Sequence, residues 1–230
     1  MFAVFRLKKV YFVLSILLAA QLVLTAFLCF STLGSSSGAV VDFSVAIDAG
    51  HGGIDGGVVG VGGSKESVLN LSYAKALGKA FEERGFGVVY TRKTDAGLYG
   101  IATKGFKQRD MAKRKQIIVQ SNAKLVVSIH MNNYSDSSRS GPQVFFQKGS
   151  EQGQALACSI QNALNKFTGN SHQALSGDFY ICRCADVPSV IVECGFVSNP
   201  TEEQLLLNDS YRDALVEEIF VGVMMFLYSN

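Results

Sequence analysis

Two histidines and two glutamates, far apart in the chain, are the residues best suited to chemistry. His51 sits in "AIDAGHGGIDGGVVGVGGSKES" (46–67), where eight of the fourteen positions from Gly50 to Gly63 are glycine. Glu66 closes the same stretch, His130 ends the apolar run "LVVSIH" (125–130), and Glu193 ends "SVIVE" (189–193). Imidazole nitrogen and carboxylate oxygen are natural ligands for Zn²⁺, and a catalytic zinc keeps three protein ligands with one position left for water. Glycines let the backbone turn sharply beside such a centre and leave room for a substrate. Taken singly, His51 reads equally well as a turn residue, and His130 as a satisfied interior histidine. A carboxylate at the end of a buried strand is costly unless paired, so Glu193 reads as a metal ligand or a general base. Asp48 and Asp55 flank His51 and suit turn formation or hydrogen bonding to a ligand better than ligation. His172, in the polar loop "TGNSHQALSGD" (168–178), reads as a surface residue.

The glycine-rich stretch does not fit a phosphate cradle. A dinucleotide fingerprint that starts at Gly50 and Gly52 puts its last required glycine on Asp55, and a P-loop needs Lys followed by Ser or Thr where this chain has Lys65 followed by Glu66. A formal net charge of +2 over 230 residues gives no global case for nucleic acid. The basic run "KGFKQRDMAKRK" (104–115) lacks interleaved aromatics and reads as a solvated helix face. Cys182-x-Cys184 lacks the two-residue spacing of a zinc ribbon or thioredoxin motif. With Cys158 and Cys194 these residues read as buried free thiols, a disulfide outside the membrane being the alternative.

The elements that must position these side chains alternate along the chain. Strands are expected at 43–48, 87–91, 125–130, 143–147, 179–182 and 189–193, and helices at 67–85, 108–122, 153–167 and 211–229. This order predicts a single α/β domain over 43–230, a twisted, mostly parallel sheet with helices on both faces. Ligands of such sheets gather at the carboxyl ends of the strands, where His51, His130 and Glu193 all fall. Ahead of the domain, Arg6, Lys8 and Lys9 mark a basic cytoplasmic terminus (1–9), followed by the apolar segment 10–30 and a linker (31–42). No charge occurs between Lys9 and Asp42, which predicts a transmembrane or signal segment with the domain outside the cytoplasm. The segment is long enough to span a bilayer, and the small residues of "GSSSGA" (34–39) would equally allow cleavage.

The segments "IDAGHGGIDGG", "KES", "VVSIHMN" and "IVECGFVSNP" resemble, in order, the signatures of the zinc-dependent N-acetylmuramoyl-L-alanine amidases of type 3; "YTR" (90–92) and "QRDMAKR" (108–114) match the intervening pattern. The resemblance covers about residues 43–228. It implies Zn²⁺ bound by His51, Glu66 and His130, with Glu193 as the catalytic acid/base. It further implies a peptidoglycan substrate cut between muramic acid and L-alanine, at an extracytoplasmic site, membrane-anchored or secreted to the cell wall. Ala49 stands where the family usually has proline, and Cys194 where it often has a small or aliphatic residue; neither removes a functional group. "TDAGLYG" ahead of "KGFKQRDM" is similar to the spore-cortex, germination-specific amidases, which trim peptide so that muramic δ-lactam can form. Without an added wall-binding module, targeting falls to the N-terminal segment or to an activating protein partner. Arg183 is expected either to contact peptide carboxylates or to form a surface ion pair. The rival readings are a non-catalytic peptidoglycan-binding protein on the same fold and a zinc peptidase of other specificity.

Overall fold

Runs of β-branched and aliphatic residues build one six-stranded sheet: β1 (Ser44–Ala49), β2 (Gly87–Tyr90), β3 (Leu125–Asn132), β4 (Gln143–Gln147), β5 (Leu175–Gly177) and β6 (Ser189–Phe196). The structure is a computed structural model that describes residues 43–229 and three isolated helical positions, Leu18, Gln21 and Thr25. The remainder of the expected segments 1–9, 10–30 and 31–42 lies outside the described residues. Among the described residues, no helix is long and apolar enough to cross a membrane.

The strand order is β2-β1-β3-β6-β4-β5. β2, β1, β3 and β6 run parallel, whereas β4 pairs antiparallel with β6 and parallel with β5. The sheet is therefore mixed rather than simply parallel. A parallel return needs a long crossover, usually a helix; the connection from β3 to β4 has none, so β4 comes back in the opposite sense.

The helices are α1 (Glu66–Glu82), α2 (Phe106–Gln120), α3 (Glu151–Thr168), α4 (Pro200–Leu206) and α5 (Asp209–Ser229). Along the central strands, Val45, Ile47, Val127, Ile129, Val190 and Val192 join one core with α1, α3 and α5. The alternate positions Ala46, Val126 and Ile191 join a second core with Ile118 of α2 and with Ile181 and Cys182. Burial on both faces is why these strands read as continuous apolar runs rather than alternating ones.

The expected strand at 179–182 is not one. Ile181–Arg183 form a 3₁₀ turn, and the edge strand lies earlier, at Leu175–Gly177. The apolar residues there serve packing: the Phe179 ring meets Phe145 edge-on at 5.4 Å. The seven-residue α4, too short to show a helical period, was not expected; Pro200 follows its cap Asn199, whose side chain accepts from the Thr201 and Glu202 amides. The four cysteines among the described residues are free, with Cys182, Cys184 and Cys194 buried but Cys158 exposed, since it lies on the outer face of α3.

Candidate metal centre

The carboxyl ends of β1 and β3 deliver the two histidines to one place. The chain leaves β1 through Gly50 to His51, whose φ of 60° is left-handed, an uncommon backbone for a residue with a side chain. The loop then returns to begin α1 at Glu66. The Gly56 and Val58 carbonyls accept from the first amides of α1, Ser67 and Glu66, each at 3.0 Å, and the Val58 amide donates to Glu66 Oε2 at 2.9 Å. Gly57 makes this wrap feasible, because its φ is +67° and a Cβ there would lie 2.3 Å from Glu66 Oε2.

Both imidazoles converge on the other oxygen of that carboxylate. His130 Nδ1 lies 2.9 Å and His51 Nε2 3.3 Å from Glu66 Oε1. One ligand atom from each of His51, Glu66 and His130 lies within 4.8 Å of the others. The two rings meet edge-on with centroids 5.1 Å apart. Burial opposes the charged forms, but the mutual attraction wins: it raises the pKa of His51, with Asp55 adding to the effect, and holds the Glu66 carboxyl well below its usual range. Two imidazole nitrogens and one carboxylate oxygen converging in a half-buried pocket form a donor set that fits zinc. Asp55 Oδ2 takes the remaining ring nitrogen of His51 at 3.1 Å, the outer hydrogen bond that fixes a ligand imidazole's orientation and tautomer.

Glu193 stands beside these groups. On the β3–β6 ladder it is in register with His130. Burial, with the Glu66 charge adding, lifts its pKa to about 7, while His130 and His51 pull the other way. Its Oε2 is buried without a hydrogen-bond partner among the described residues. A cleft of about 290 Å³ opens next to His51 and His130, walled by Lys107 and Met111 of α2 and by Phe179 and Tyr180 ahead of the 3₁₀ turn.

The remaining expected residues have other places. Asp48 is not against the His51 ring; it is buried among Thr91, Ser128 and Arg114, with bonds of 2.6 Å to each. His172 is partly exposed and donates from Nε2 to the Ser140 carbonyl at 2.8 Å. Arg183 forms a surface ion pair with Asp178 at 2.7 Å.

The sequence reading missed the arginines under the loop. Arg114 belongs to the run read as a solvated helix face, yet it is 1% exposed. It is buried because Asp48 and Asp110 supply compensating charge, at 2.6 Å each. Arg92, also buried, donates to the carbonyls of Ala49, Gly50 and Ser67 at 2.7–2.9 Å. The available signal was the pairing of "YTR" and "QRDMAKR" with the "IDAGHGG" segment.

Comparison with known proteins agrees with this geometry. Residues 45–224 match the family described as N-acetylmuramoyl-L-alanine amidase. The germination-specific N-acetylmuramoyl-L-alanine amidase of Bacillus subtilis (strain 168) is 32% identical over 187 residues, covering 79% of this chain and 78% of that protein. The CwlD amidase of Clostridioides difficile, solved in complex with the GerS lipoprotein, superposes with a TM-score of 0.79 at 31% identity, covering 82% of this chain and 100% of that one. An N-acetylmuramoyl-L-alanine amidase from Clostridium difficile 630 superposes with a TM-score of 0.73 at 28% identity, covering 82% and 98%.

Proposed function

Since the chain belongs to the type 3 N-acetylmuramoyl-L-alanine amidase family, a family of peptidoglycan hydrolases, we propose that it is a zinc-dependent hydrolase. Its bond is the amide between the lactyl group of muramic acid and L-alanine. The observation that carries this reading is the convergence of His51 Nε2 and His130 Nδ1 on Glu66 Oε1, with Glu193 in register beside His130.

His51, Glu66 and His130 would hold the ion. Bound zinc supplies an electrophilic centre that polarises a carbonyl and lowers the pKa of water from 15.7 to about 7. The residues of the chain do the rest. The cleft beside His51 receives the substrate amide, and Asp55 keeps the His51 ring from turning. Glu193 accepts the proton of the attacking water and then delivers it to the leaving nitrogen. A carboxyl whose pKa sits near 7 is suited to both transfers at neutral pH.

The 32% identity to a germination-specific amidase favours the spore cortex as the setting. The segment 10–30 would then carry the domain across the membrane, anchored or cleaved, and an extracytoplasmic protein would serve as activating partner; that a relative, CwlD, forms a complex with the GerS lipoprotein supports a protein partner.

The test is to incubate purified muropeptide with the zinc-loaded chain and weigh the products. Free peptide beginning at L-alanine supports the amidase. Unchanged substrate retained on the protein would point to a binding protein, and a cut elsewhere in the stem to a peptidase. A reporter fused after residue 40 should be active only outside the cytoplasm.

A further inference from the structure

His51 holds a left-handed backbone although it is not glycine, and L-residues adopt that conformation only at a cost. Something must hold it there. The loop's own amides do not touch the His51 carbonyl; a side chain from α2 does. Arg114 Nη2 donates to the His51 carbonyl at 2.5 Å, and Arg114 Nη1 donates to the Ala49 carbonyl at 2.7 Å. One guanidinium thus grips the chain on both sides of Gly50. The guanidinium is itself aimed by charge: Nη1 also reaches Asp48 Oδ1 and Nε reaches Asp110 Oδ2, each at 2.6 Å. Asp110 is fixed in turn by the Leu98 amide, which donates to its Oδ1 at 2.5 Å. A planar fork with five fixed donors can satisfy these acceptors together; an ammonium in the same place cannot.

We propose that Arg114 is a positioning residue for the metal ligand His51, holding the strained 49–51 turn so that the imidazole faces Glu66 and His130 before the ion arrives. The inference rests on the zinc-binding reading above. It assigns to a buried basic residue of α2, in the wall of the cleft beneath the loop, a part in metal affinity although none of its atoms is a metal ligand.

Zinc affinity of the metal-free, folded, full-length chain decides the matter, measured by competition against a chromogenic chelator. Arg114→Lys keeps the positive charge between Asp48 and Asp110 but loses the fork. It should weaken zinc binding by about 10–100-fold, the usual cost of losing an outer hydrogen-bond partner of a metal site. Asp110→Asn leaves Arg114 in place but removes the charge that aims its Nε, and should weaken binding less, in the same direction. Ser128→Ala is the control: it removes a hydrogen bond to Asp48 Oδ2 in the same buried network and leaves the grip on 49–51 intact. It should lower thermal stability with zinc affinity unchanged, an outcome that a purely structural role for the network would not produce. Wild-type affinity in folded Arg114→Lys and Asp110→Asn, or an equal loss in Ser128→Ala, overturns the positioning role. Should Arg114→Lys not fold, Asp110→Asn against Ser128→Ala carries the same decision. A wild-type chain that takes up no zinc overturns the metal reading, and this inference with it.

Discussion

His130 and Glu193 occupy matched positions on the neighbouring parallel strands β3 and β6. Adjacent strands lie about 4.8 Å apart, so the ladder itself fixes the separation between a candidate metal ligand and the candidate proton carrier. The register then shifts between His130 and Asn132. Such a bulge re-aims the strand end, as is common beside active sites. His130 and Glu193 thus stand on the two most central strands of the sheet, whereas His51 stands on the loop that follows β1.

Gly50 is needed for space rather than for its backbone angle. A Cβ there would lie 2.2 Å from both Cε1 and Nε2 of His130. Gly50→Ala should therefore fold, because its amide bond to the Ile129 carbonyl survives, yet push the His130 ring off Glu66. Zinc affinity should fall at least about tenfold, in line with disturbed ligand support. Chelator competition on the purified variant checks this; unchanged affinity would mean that the ring has another way in.

One zinc per chain is expected by elemental analysis, with strong loss in both His51→Ala and His130→Ala. Binding should also raise the thermal midpoint, by linkage. Affinity should weaken as the pH is lowered, because both imidazoles must shed protons to act as ligands. Retention of zinc by both variants would place the ion elsewhere.

The sequence displayed this site unevenly. His51, Glu66, His130 and Glu193 were legible because each stands at the edge of an apolar run or a helix in the sequence, and strand ends in an α/β sheet point to a common edge, although β3 and β6 themselves run on to Asn132 and Phe196. Five of the six strands were legible, β1, β3 and β6 because burial on both faces left an apolar run; the edge strand β5 was not. The failures share a cause: contacts that only the tertiary structure creates. Arg114 was hidden because an arginine among lysines reads as solvated until Asp48 and Asp110 are seen to face it. "FYIC" satisfied a strand composition, but its residues pack beneath α2 instead of pairing with β4. Glu203, buried in α4, binds Ser64 through both its amide and its hydroxyl and holds the glycine loop in place; no local pattern joins positions so far apart.

The buried carboxylate of Asp48 makes acid stability testable. Burial alone would raise its pKa, but Arg114, Ser128 and Thr91 together lower it from 3.8 to about 2. A depressed carboxyl contributes its stability above the unfolded-state value and loses it as the pH falls through the folded value. For Asp48 that window runs from near 3.8 down to about 2, and the contribution lost is roughly 2 kcal/mol. Ser128→Ala removes a hydrogen bond to this charge and should cost about 1.5–3 kcal/mol at neutral pH. Urea titrations of the metal-free chains should show that difference above pH 4 and its shrinkage toward pH 2. A constant difference across the range would mean that the serine acts through packing and not through the Asp48 charge.

Glu193→Gln separates chemistry from metal binding. The substitution keeps the side chain's shape, removes its ability to carry a proton, and relieves the burial that opposes the carboxylate. It should leave zinc content unchanged and the metal-free fold at least as stable near pH 7, since a desolvated charge has been replaced by a neutral group. Turnover on muropeptide should nonetheless fall by about 10²–10⁴-fold or more, as one residue serves both proton transfers. Three measurements on the same preparation read the result: zinc content, thermal midpoint and rate. Loss of zinc along with activity would make Glu193 a fourth ligand. A fall in the midpoint matching the fall in rate would make it a structural carboxylate. Near-normal turnover would show that the base lies elsewhere, and the candidates would then be sought among the titratable residues that line the cleft, Asp55 first, because it already bonds His51.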